Sequence, residues 1–169
     1  MERLQADGAL VQLSERFTNS AAFGVLFREG MDLVEETAAY LDGAGRNEAK
    51  ALDRAVSLTY ATESMRLTTR LMQLASWLLL HRAVKEGEMT LVQANREKTK
   101  VKLTAADPGP VDTIEKLPAQ LQDLIERSMS LQTRVRRLDT SIHTPPADHI
   151  AIGNPLVPHL NALKAAFER

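Results

Sequence analysis

The sequence predicts an all-α protein: an antiparallel three-helix bundle with one long central helix, a short extra helix and flexible termini. Aromatic residues make up only 4% of the 169 residues, which favours Leu- and Ala-based helix packing over a sheet core. The stretch Ser64 to Arg82, SMRLTTRLMQLASWLLLHR, contains neither Gly nor Pro and carries apolar residues at helical spacing throughout. Further on, Ile114, Leu117, Leu121, Leu124, Leu131, Val135, Leu138 and Ile142 hold a heptad register that only Ser128 interrupts.

In chain order, residues 1–18 read as a flexible or loosely docked arm, because Gly8 and scattered charges leave Leu4, Leu10, Val11, Leu13 and Phe17 with only a weak helical period. Asn19 and Ser20 are good N-caps for a first helix carrying Phe23, Leu26, Phe27, Met31, Leu33, Val34, Ala38 and Leu41, and Gly43 can supply a left-handed terminating residue. The tight Asp42 to Arg46 turn folds the next helix back beside the first. From Asn47 the pattern runs unbroken to Glu86, where Gly87 stops it; such a helix is roughly 60 Å long at 1.5 Å per residue.

Three rows run along this central helix. Leu67, Leu71, Leu74, Leu78 and His81 form one stripe, and Leu58, Ala61, Met65, Thr68, Met72, Ala75 and Leu79 form a second; both are expected to be buried. The third, Glu63, Arg66, Arg70 and Gln73, continues into Trp77, Leu80 and Val84, so the expected solvent side turns apolar at its C-terminal end. Beyond Gly87, Thr90 and Gln93 stand in capping-box spacing before a short helix from Leu91 to about Val101. The turn-rich linker Ala105 to Val111 leads to the last long helix, whose first turn Pro118 suits. The helical domain therefore spans 19–142, followed by a Pro-rich tail, 143–169, in which Leu156, Leu160, Leu163 and Phe167 share one helical face.

Charge and composition narrow the function. Lys plus Arg number 21 against 22 Asp plus Glu, so no global field draws the chain to nucleic acid or anionic membrane. Cysteine is absent, which removes disulfides and thiolate chemistry. The N-terminus has no continuous apolar stretch and Trp77 to Leu80 is far short of a membrane span, so a cytoplasmic location is expected. His81, His143, His149 and His159 match no metal-ligand spacing, and no phosphate loop or nucleophile motif is present. The chain reads as a non-enzyme without cofactors.

The candidate sites are surface features. Trp77, Leu80 and Val84 form the candidate partner-binding or dimer interface, since an indole opposite two buried stripes either meets the third helix or anchors another chain. Arg66 and Arg70, one turn apart beside Glu63, suit an acidic partner or an ordinary exposed ion pair. Leu160, Leu163 and Phe167 are the candidate tail-docking residues. The basic groups Arg96, Lys98, Lys100 and Lys102, and Arg134, Arg136 and Arg137, leave DNA binding by a transcriptional regulator as the weaker alternative.

Ala38 to Glu88, above all AAYLDGAGR (Ala38 to Arg46), YATESMRLTTRLMQLASWLLLHRAV (Tyr60 to Val84) and GEMT (Gly87 to Thr90), resembles the regulator of CtrA degradation family. That resemblance implies a small homodimeric three-helix protein with a disordered tail, serving as an adaptor for the ClpXP protease. It implies that the protein joins a ClpXP protease already primed by a response-regulator-like adaptor and recruits cell-cycle transcription factors directly or through a cyclic-di-GMP-binding adaptor. No catalytic motif carries over.

Overall fold

Ser20 opens the first helix by accepting a hydrogen bond from the Phe23 amide at 3.3 Å, and this helix, α1, runs Ala21–Asp42. The computed structural model describes residue 16, residues 20–98 and residues 108–143. The rest of the expected arm and the tail, with Leu160, Leu163 and Phe167, lie outside the described residues.

Gly43 follows α1, its N–H donating to the Ala39 and Tyr40 carbonyls. Its φ is −113°, so it is not the left-handed residue expected there; that conformation belongs to Gly87, at φ +75°. The expected continuous central helix is two helices. Helix α2 covers Ala44–Lys50 and α3 covers Arg54–Lys85. Asp53 makes the break: its carboxylate accepts from the Val56 amide at 2.9 Å, capping a new helix where the apolar pattern alone runs on.

Helix α4, Leu91–Lys98, starts with the expected reciprocal cap, Thr90 and Gln93 each bonding the other's amide. The part of that expected helix beyond Lys98 lies outside the described residues. A single turn, α5 (Val111–Ile114), precedes α6, Ala119–His143.

The bundle is all-α, and no strand occurs among the described residues. Its core joins Phe23, Leu26 and Leu33 of α1, Leu67, Leu71, Leu74 and Leu78 of α3, and Leu121, Leu124, Leu131 and Val135 of α6. Helix α1 packs against α3 at Gly30, where an added Cβ would run into Leu78 Cδ1. Ion pairs Arg127–Glu36 and Arg134–Glu29 set α6 antiparallel to α1. Arg70–Ser128 and Trp77–Asp139 set it parallel to α3. The connection between α3 and α6 therefore returns along the bundle, and Gly109 on that return path donates its N–H to Glu63 Oε1 at 3.0 Å.

Candidate functional site

The structure exchanges two of the three rows expected on α3. The row placed toward solvent is largely core: Trp77 is 1% exposed, and Glu63 and Arg70 are equally buried. Each of these polar groups reaches a partner far away in sequence. Arg70 Nη1 donates to Ser128 Oγ at 2.9 Å, so the residue that interrupts the α6 heptad is the one that receives the buried guanidinium. Glu63 Oε1 accepts from Arg66 Nη1 at 2.5 Å and from Gly109.

Trp77 meets the third helix, the first of the two alternatives its position left open. Its indole Nε1 donates to Asp139 Oδ1 at 2.8 Å, and its ring stacks on His81 with centroids 3.9 Å apart. His81 Nδ1 lies 2.9 Å from the Trp77 carbonyl oxygen, an acceptor only, so that nitrogen carries the proton. Trp77 and Arg70 are thus corrected from exposed contact residues to core residues. Leu80, Val84 and Arg66 are half-buried at the margin of the bundle.

The row expected to form the second buried stripe is instead the outer surface. Leu58 is 71% exposed, Met65 72%, Met72 67% and Leu79 52%. These four residues stand seven apart, so they line one face of α3 for about 32 Å at 1.5 Å per residue. Ala61, Thr62, Thr68 and Thr69 are exposed between them, and from Ala55 to Leu79 every exposed residue of the helix is uncharged. The hydroxyls of Thr62, Thr68 and Ser76 donate to the carbonyls of Leu58, Ser64 and Met72. Bonded back to their own helix, they leave an outward surface that is mostly methyl and thioether.

A groove of ≈480 Å³ opens between the start of α1 and the end of α6, floored by Ala22, Leu26 and Leu138, with Val25, Arg134 and Arg137 at its rim. Another concavity lies where α2 meets α3, with Leu41, Ala49, Ser57 and Tyr60 in its lining. The Tyr40 hydroxyl donates to Glu48 Oε2 at 2.7 Å, and burial first, then the Glu48 contact, pushes the Tyr40 pKa upward. Burial likewise raises Tyr60.

Two of the basic groups behind the DNA-binding alternative meet acids: Arg134 pairs with Glu29, and Lys98 Nζ meets Asp139 Oδ1 at 2.7 Å. Arg127, also on α6, bridges Glu36 and Asp123, whose hydrogen bonds raise its pKa. Among the described residues no three His, Asp or Glu side chains gather into a metal site, and no described helix is long and apolar enough to cross a membrane.

A family described as "Protein of unknown function (DUF1465)" matches residues 14–167. The crystal structure of RcdA from Caulobacter crescentus CB15 is 51% identical, covers 76% of this chain and 96% of its own, and superposes with a TM-score of 0.61. No curated protein sequence matches.

Proposed function

The chain belongs to the regulator of CtrA degradation family, catalogued as DUF1465, and from that premise we propose that it is a non-enzymatic adaptor in regulated proteolysis. In this reading it delivers cell-cycle regulatory proteins, transcription factors among them, to the ClpXP protease. It does so by bridging protease-bound and substrate-bound partners, including a response-regulator-like adaptor and a cyclic-di-GMP-binding adaptor, in the cytoplasm. The observation that carries the proposal is the 51% identity to RcdA across nearly all of that protein.

The surface of α3 supports an assembly role. An uncharged face of this length is unusual on an isolated soluble helix and favours an obligate neighbour. We place a homodimer seam there, because Leu58, Met65, Met72 and Leu79 read the same in both directions. Two copies crossing antiparallel about a two-fold axis near Thr68 and Thr69 set Leu58 against Leu79 and Met65 against Met72, as an isologous interface requires. Leu80, Val84 and Arg66 flank that seam as partner contacts, while Trp77 and Arg70 hold the helix rigid from within.

Binding between purified components tests the adaptor reading. Immobilised protein is expected to retain the unfoldase or a second adaptor of the protease, together with a transcription-factor substrate. Retention of none of these from equimolar mixtures would contradict it.

A further inference from the structure

We propose that the groove between α1 and α6 docks an acidic amphipathic helix of a partner protein. Its floor, Ala22, Leu26 and Leu138, is apolar, and Val25 on the α1 rim is 63% exposed although Phe23 and Leu26 beside it are core. A cavity of ≈480 Å³ with such a lining suits large apolar side chains. The two helices run antiparallel, so the Arg134–Glu29 pair, about one turn further into the bundle on each, bridges them and closes the inner end. No strand edge exists among the described residues to pair an extended peptide, whereas two helices flanking an apolar floor are completed by a third.

Charge selects the partner. Glu29 already neutralises Arg134, while the exposed Arg137 guanidinium forms no ion pair among the described residues, and no described acid lines the groove. Arg137 also borders a shallow concavity on the outer side of α6 that Arg136 shares, where the hydroxyls of Thr133, Thr140 and Ser141 donate to carbonyls of their own helix. The guanidinium groups therefore define that flank, and carboxylates beside the apolar anchors are what they recognise. A bilayer is met by projecting apolar side chains and several free cations; here the floor is recessed and one of the two rim cations is already paired. The groove also avoids the α3 seam. Leu58, Met65, Met72 and Leu79 stand roughly 140° round α3 from the Leu67, Leu71, Leu74 and Leu78 row that packs into the core, so two paired copies keep both grooves open.

The groove gives the proposed adaptor a docking site separate from its seam and rests on that reading only for the need of a partner, so a binding assay without protease tests it independently. Two labelled helical peptides serve as probes, identical in their Leu anchors at i, i+3 and i+4 and flanked by Glu in one and by Lys in the other. The chain's net charge of −1 gives neither peptide a general advantage. Fluorescence anisotropy with the full chain is expected to show severalfold tighter binding of the Glu peptide. Val25→Asp is expected to weaken it severalfold at unchanged helix content, and Arg137→Glu to reverse the preference between the peptides; Met65→Glu with Met72→Glu is expected to change neither. Equal binding of the two peptides, binding of neither, or indifference to Val25→Asp and Arg137→Glu would overturn the proposal. So would loss of binding in the Met65 and Met72 variant, which assigns it to the α3 face, or Arg137-dependent sedimentation with phosphatidylglycerol vesicles in place of peptide binding, which assigns the groove to a membrane surface.

Discussion

Trp77 of α3 donates its indole N–H to Asp139 of α6, and the same carboxylate oxygen receives Lys98 of α4, at 2.8 and 2.7 Å. One acidic side chain thus ties three helices around a buried indole. Removing the acceptor in Asp139→Ala leaves a buried donor unsatisfied and is expected to cost about 1–3 kcal/mol. Truncation in Trp77→Ala opens a large cavity beside His81 and is expected to cost about 3–5 kcal/mol. Urea denaturation followed by circular dichroism measures both; a Trp77→Ala midpoint equal to wild type would contradict the core placement.

Gly45 is fixed by crowding. A Cβ there would lie 2.7 Å from Tyr60 Oη and 2.8 Å from the Tyr40 carbonyl oxygen, part of it backbone that cannot swing aside. Gly45→Ala is expected to destabilise by about 1–3 kcal/mol through overpacking. Thermal unfolding of this variant beside Gly24→Ala, whose Cβ meets nothing within 4 Å, separates crowding from helix propensity: only the former is expected to lower the midpoint.

The tyrosine pair predicts alkaline sensitivity. Burial, and for Tyr40 the hydrogen bond to Glu48, raises the folded-state pKa above the unfolded one. A raised pKa means the folded state holds the proton more tightly, so this stabilisation is complete below the unfolded value of about 10 and declines as pH rises beyond it. Denaturation midpoints measured across that range are expected to fall more steeply for wild type than for Tyr40→Phe. Parallel curves would contradict the assignment.

How far the sequence discloses this molecule depends on the range of the interaction. Ser20 as the cap of α1, the Thr90–Gln93 box and the α6 heptad are local patterns, and each appears where the spacing puts it. The Asp53 cap is also local, but an apolar pattern continuing across residues 51–53 masks it. The facing of α3 is not local. With apolar residues on three sides, periodicity cannot choose which rows are buried, and the choice follows from partners: Ser128 for Arg70, Gly109 for Glu63 and Asp139 for Trp77. Those pairs lie 46 to 62 residues apart, beyond the reach of helical spacing. The exposed stripe was legible as apolar, and its position outside follows only once that row is displaced.

That stripe supplies the next prediction. Met65→Glu with Met72→Glu adds charge where no described side chain of the bundle is displaced, so helix content is expected to remain at the wild-type level. Placed at the centre of the proposed seam, the same charges face their symmetry copies and desolvation opposes pairing. Sedimentation velocity is expected to show wild-type dimer and variant monomer; a variant that sediments as wild type would move the seam elsewhere.

The most direct measurement of the central proposal is the rate at which reconstituted ClpXP, with its response-regulator-like adaptor, degrades a transcription-factor substrate in the presence and absence of this protein. The adaptor account predicts acceleration that saturates with protein concentration. Equal degradation rates with and without the protein would contradict it.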